Sequence, residues 1–67
     1  MQDQFWRLDR VKAETGLTTS AIYEMMANET FPKNFPITAR SVAWRQSEVE
    51  AWKKARLEAA GKLTEAA

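Results

Sequence analysis

Neither cysteine nor histidine occurs anywhere in the 67 residues. Their absence excludes disulfides, thiolate nucleophiles, the usual zinc ligand sets and the commonest general base. Long apolar runs are missing as well. None approaches the roughly 18 residues that a membrane span requires, and the opening Met1-Gln2-Asp3-Gln4 has neither the basic start nor the apolar stretch of a signal peptide. No carboxylates are paired in a recognisable pocket pattern, so no catalytic set is expected, and no cofactor or metal. Excess charge is scarce too. The net charge is +1 and the pI about 8.1, below the value of about 9 that nucleic-acid modules often exceed. Any electrostatic function must therefore rest on where the charge lies.

What the chain does have is aromatic bulk. Three tryptophans and three phenylalanines in a domain this small supply the buried area that keeps it folded without a staple. The expected core is Phe5, Trp6, Leu8, Val11, Leu17, Ile22, Met25, Met26, Phe31, Phe35, Val42, Trp44, Val49 and Trp52. The charge is also unevenly placed. Residues 31–45, FPKNFPITARSVAWR, carry Lys33, Arg40 and Arg45 and no acid, whereas residues 1–30 are net negative and residues 46–67 balance. The positive charge is concentrated in one short, proline-bounded segment.

Local signals divide the chain into four pieces, with neither repeat nor low-complexity linker. Residues 5–7 suit a short extended lead-in, and residues 9–15 an amphipathic helix with Asp9 at its N-cap or first turn. Leu8, Val11 and Thr15 share a face of it. Gly16 stops that helix, and Leu17 plugs the turn into the core. A second helix starts at Thr18 or Thr19, capped by one of those hydroxyls, and runs to about Asn28. Ile22, Met25 and Met26 fall within about 60° of one another on its inner face. Ser20, Glu24 and Ala27 lie opposite, with Tyr23 at the edge.

Phe31-Pro32 and Phe35-Pro36 end helical structure. The runs Ile37-Thr38 and Val42 to Arg45 then predict a hairpin, with Arg40 and Ser41 at its tip. Ser47-Glu48-Val49-Glu50 has the form of a capping box opening a third helix. That helix is expected to bury Val49, Trp52 and the stem of Arg56, to carry Glu50–Lys54 and Glu58–Lys62 pairs, and to stop at Gly61. Residues 1–61 form one domain in this reading, and residues 62–67 a frayed tail.

The pieces Arg7-Leu8-Asp9-Arg10-Val11, Thr15-Gly16-Leu17-Thr18-Thr19-Ser20-Ala21-Ile22-Tyr23, Phe31-Pro32-Lys33, Val42-Ala43-Trp44-Arg45 and Ser47-Glu48-Val49-Glu50-Ala51-Trp52 follow one family pattern in order. Over about residues 6–55 the chain resembles the AlpA-like prophage regulators, relatives of phage excisionases and of the MerR-type DNA-binding head. The resemblance implies a mainly α fold with a small β-hairpin wing, a winged helix-turn-helix. It also implies a cytoplasmic, nucleoid-associated protein, bacterial or phage-encoded, that partners double-stranded DNA as transcriptional regulator or excision factor. The sequence departs from the pattern at Glu24, where the family commonly carries a basic residue after the tyrosine. A carboxylate there is repelled by phosphates, though it can accept from cytosine N4, so the electrostatic work shifts to the wing.

The residues expected at DNA are Thr18, Thr19, Ser20, Tyr23, Glu24, Lys33, Arg40, Ser41 and Arg45. The three hydroxyls sit at a helix N-terminus, where an anion is favoured; the plain alternative is capping alone. Tyr23 can pack over a sugar or base edge or merely cover the core, and Glu24 can read a cytosine or stay solvated. Arg40 suits the minor groove, against a solvated turn arginine. Lys33 and Arg45 suit phosphates, although Arg45 could instead pair with Glu48. Trp44, Trp52, Met25 and Met26 are expected in the core rather than in a stacking platform, and Lys53 and Lys54 on a solvated face. With so few clustered cations, further copies of the protein on adjacent sites are expected. The rival of a different class is a protein-interaction module using the helix-two face, favoured by Glu24, Glu29 and the low net charge.

Overall fold

The computed structural model describes residues 3–62. In chain order it contains β1 (Phe5–Trp6), α1 (Leu8–Thr15), α2 (Thr19–Ala27), β2 (Phe35–Thr38), β3 (Ser41–Arg45) and α3 (Gln46–Ala59). Three helices and a small antiparallel hairpin make a helix-turn-helix with a wing. β1 adds a third strand on the far side of β3, so the sheet order is β1-β3-β2. The first helix begins one residue earlier than expected, which places Asp9 inside the first turn and leaves the N-cap, Arg7, without a side-chain cap.

The turn between α1 and α2 follows from three local contacts. Gly16 adopts φ 76 and returns its N–H to Lys12 O at 2.7 Å. The space around its Cα is open, so glycine is needed there for its left-handed conformation and not for room. Thr15 Oγ1 then accepts from the Leu17 N–H at 3.3 Å, and Leu17 is half-buried against the core. Thr18 caps α2, its Oγ1 accepting from the Ala21 N–H at 3.1 Å. The inner face of α2 buries Ile22 and Met26, with Met25 partly covered.

The segment leaving α2 is pinned from two sides. Trp52 Nε1 donates to Thr30 O at 2.8 Å and Trp44 Nε1 donates to Pro32 O at 3.0 Å. Between those carbonyls Phe31 is buried, its ring edge-on to Trp52 with centroids 4.9 Å apart. The tryptophans thus fill the core and also satisfy the backbone of the segment that feeds the wing. Trp44, Ile22, Val11 and Val49 are the largest fully buried side chains; each such residue contributes on the order of 2 kcal/mol by leaving water.

Several expectations are corrected. The hairpin tip is Ala39–Arg40, and Ser41 opens β3 opposite Thr38. β2 begins at Phe35 and contains Pro36, which an edge strand accommodates because its N–H side need not be paired. Phe5 is 59% exposed. It pairs with Arg45 across the sheet and so lies on the face opposite Trp6 and Trp44, edge-on to Phe35 at 5.0 Å. Ala43, opposite Phe35 in the register, is buried and absent from the expected core.

The capping box is not formed. α3 starts at Gln46, and Asp3 does the capping: its Oδ1 accepts from the Ser47 N–H at 3.0 Å and its Oδ2 from Ser47 Oγ at 3.0 Å. Glu50 instead accepts from Gln46 Nε2 at 3.1 Å, and neither Glu50–Lys54 nor Glu58–Lys62 is an ion pair of the described residues. At the far end Gly61, φ 71, closes α3 as expected, with Lys62 N–H bonded to Leu57 O at 2.8 Å. Lys62 therefore belongs to the helix terminus; the rest of the expected tail, residues 63–67, lies outside the described residues. Lys53 is not simply solvated either. Glu14 joins Lys53 and Arg10, each at 2.9 Å, and so links α1 to α3.

Candidate nucleic-acid interface

α2 turns its small and polar side outward. Thr19, Ser20, Tyr23, Glu24 and Ala27 are all exposed, as is the capping Thr18. Tyr23, 42% exposed, is tied to the rest of the molecule at both ends. Its ring stands edge-on to Trp44 with centroids 6.2 Å apart, and its hydroxyl accepts from Asn34 Nδ2 at 3.4 Å. Because Trp44 belongs to β3, this contact fixes the outer edge of α2 to the base of the wing.

Asn34 was not among the expected site residues. A lone amide between two Phe-Pro pairs is a weak signal in sequence. Its position becomes meaningful only once Phe31 is anchored and Pro32 O is held by Trp44. Next to it Lys33 is exposed.

The wing projects from this junction. A four-residue strand spans roughly 13 Å, so the tip stands well clear of α2. Arg40 occupies it, exposed, with its N–H bonded to Thr38 Oγ1 at 3.2 Å. That bond fixes the backbone of the turn and leaves the guanidinium to solvent. Ser41 is half-buried in the strand rather than presented at the tip.

Arg45 lies at the other end of β3. Its Nε donates to Asp3 Oδ2 at 2.7 Å, so its partner is Asp3 and not Glu48. Asp3 thereby collects three donors. The Ser47 N–H above all, helped by the Arg45 and Ser47 side chains, holds its carboxyl below the ordinary value of 3.8, overcoming the opposing effect of desolvation. Glu14 is likewise held below its ordinary 4.5, first by Lys53 and then by Arg10. Both acids are engaged with bases on the molecule itself, whereas Lys33 and Arg40 form no ion pair among the described residues.

The structure therefore brings together Tyr23, Asn34 and the start of the wing, puts Arg40 at the far tip, and places Arg45 against Asp3. An exposed helix beside a projecting hairpin with an unpaired arginine can address a groove and its flanking phosphates at once. A family model described as prophage CP4-57 regulatory protein (AlpA) matches residues 4–57, from just before β1 through most of α3. The chain belongs to the AlpA family. A curated relative, the uncharacterized protein ORF88 of Enterobacteria phage P4, is 38% identical over 56 residues covering 84% of this chain. The chain spans 64% of that relative's length. The AlpA match takes in both α2 and the wing, so the junction just described lies wholly within the family's shared region. No helix of the described AlpA-family domain is long and apolar enough to cross a membrane.

Proposed function

We propose that this AlpA-family protein is a sequence-specific double-stranded DNA-binding regulator of a prophage or other mobile element. In this reading α2 enters the major groove and the wing lies on the flanking backbone or in the minor groove. The observation that carries it is the junction of α2 with the wing. Tyr23 packs on Trp44 and accepts from Asn34, so the exposed helix face and the hairpin are held as one surface. A surface used for protein docking would be expected to show a larger apolar patch; the outward face of α2 is Thr19, Ser20, Tyr23, Glu24 and Ala27.

The roles divide by chemistry. The free N–H groups at the start of α2, with the Thr19 and Ser20 hydroxyls, favour a phosphate oxygen. Lys33 contacts phosphate by charge alone, while Arg40 at the tip fits a narrow, negative minor groove. Arg45 contributes only if it leaves Asp3. Glu24 faces the groove as an acceptor and suits cytosine N4 better than any phosphate.

The test is fluorescence anisotropy on random duplex DNA across a salt series, beside Arg40→Ala. Binding is expected at low salt, falling as salt rises with a logarithmic slope of about −2 to −3, reduced by about one in the variant. A slope near zero for the unaltered protein would sink the DNA reading and favour a protein partner for α2. An excision factor with the same fold is distinguished by its footprint: it covers several repeats and bends them, whereas a transcriptional regulator need not.

A further inference from the structure

Asn34 is held in place by contacts that look excessive for a surface loop. Its chain segment is fixed by the buried Phe31 ring and by the Trp52 and Trp44 N–H bonds to Thr30 O and Pro32 O. Its side chain is then oriented by Tyr23, whose ring rests on Trp44. Tyr23 Oη takes one hydrogen of the Asn34 amide nitrogen. The second Nδ2 hydrogen and Oδ1 have no partner among the described residues. One donor and one acceptor, coplanar and fixed about 2.3 Å apart by the amide itself, remain free beside the exposed face of α2.

That pair has a specific complement. In the major groove adenine offers N7 as an acceptor and the N6 amino group as a donor, and an asparagine amide meets both at once. Resting on the DNA-binding reading above, we infer that Asn34 is a base-reading residue, held by Tyr23 so that its free amide edge pairs with an adenine next to the bases reached by α2. Tyr23 acts as the positioning residue: its hydroxyl, 3.4 Å from Nδ2, biases the amide toward one orientation, which removes part of the ordering entropy that a free side chain loses on binding. The geometry also accounts for why Tyr23 is left half in solvent. Its hydroxyl is needed at the surface, where the amide is.

The experiment is selection from randomised duplexes, with the unaltered protein beside Asn34→Ala, Asn34→Asp and Tyr23→Phe, and thermal melting to establish folding. The unaltered consensus is expected to hold one adenine position that Asn34→Ala makes indifferent, a loss of roughly five- to a hundred-fold in discrimination there and nowhere else. Asn34→Asp offers only acceptors, so the preference at that position moves toward cytosine. Tyr23→Phe keeps the ring on Trp44 and removes the hydroxyl, so the adenine preference weakens without vanishing. The salt slope on random duplex stays the same in Asn34→Ala, because no phosphate contact is lost. An unchanged consensus in folded Asn34→Ala would overturn the inference and leave Asn34 as a brace for Tyr23. A uniform loss across all positions with a lower salt slope would also overturn it, in favour of a backbone contact. Absence of salt-dependent binding by the unaltered protein would instead show that the DNA reading itself fails.

Discussion

Glu29 ends α2 with φ 62, a left-handed conformation that an L side chain adopts at a cost of about 1 kcal/mol or more. The hydrogen bonds around it explain why it is there. Thr30 N–H bonds to Met25 O at 2.8 Å and Glu29 N–H to Met26 O at 3.1 Å, the paired closure of a Schellman motif. α3 closes in the same paired way at Gly61, and α1 with a single bond at Gly16; for glycine the left-handed conformation is cheap. The strain at Glu29 is tolerated because the next residues are fixed elsewhere, Thr30 by Trp52 and Phe31 by the core. Glu29→Gly is therefore expected to stabilise the protein by about 0.5–1 kcal/mol, the relief of strain being partly offset by glycine's greater freedom when unfolded. For a domain of this size that raises the melting temperature by roughly 4 °C. An unchanged or lower melting temperature would mean that the Glu29 side chain stabilises the folded state in a way the backbone strain conceals.

At the level of elements, the start of α3 shows why a strong local motif can fail. Ser47 and Glu50 have capping-box spacing, yet Asp3 takes the Ser47 N–H and hydroxyl from 44 residues away in sequence. In a capping box the Glu50 carboxylate would take the Ser47 N–H; here the Asp3 carboxylate, held by Arg45, takes it instead and Glu50 turns to Gln46, and only the β1–β3 pairing brings Asp3 there. Because Asp3 titrates below its ordinary value in the folded protein, it stabilises the fold at pH above that value. The contribution is lost as pH falls from about 3.8 toward the folded pKa, and Glu14 behaves likewise below 4.5. With no histidine to titrate, the melting temperature is expected to be flat from about pH 5.5 to 8 and to fall in acid. Asp3→Asn is expected to melt lower at neutral pH and to show a shallower acid limb; an identical acid limb would mean that other groups control it. The same distinction marks what the sequence could disclose. Gly16, Thr18 and Gly61 act on their own neighbours, and their helix ends were legible. The tip at Ala39–Arg40, the strand through Pro36 and the Tyr23–Asn34 junction depend on cross-strand register and on tryptophans distant in sequence. No local signal carries those.

Over the whole molecule, charge is the scarce quantity. Of the three cations in residues 31–45, Arg45 is already paired, which leaves Lys33 and Arg40 to meet phosphates. Of the α3 cations, Lys53 is bonded to Glu14 and Arg56 stands over the Trp52 ring at 5.1 Å, so the helix adds Lys54, which has no ion pair among the described residues. Each neutralised phosphate contributes a logarithmic salt slope of about −0.9, so one domain with two or three such contacts is expected to show a slope of only about −2 to −3. So few phosphate contacts supply little of the affinity that a single site needs at physiological salt against the excess of other DNA. Occupancy would have to come from several copies on neighbouring sites, each adding its own phosphate contacts and restricting the next. The expected result is a steeper, higher-affinity isotherm on a duplex carrying two adjacent sites than on one carrying a single site, measured at equal site concentration. The apparent salt slope of the doubly occupied complex is expected to be about twice that of the single one. If affinity per site and steepness were the same on both duplexes, the copies would act independently. The small basic surface would then have to be supplemented by base contacts alone, with Asn34 and Glu24 carrying far more of the binding than their number implies.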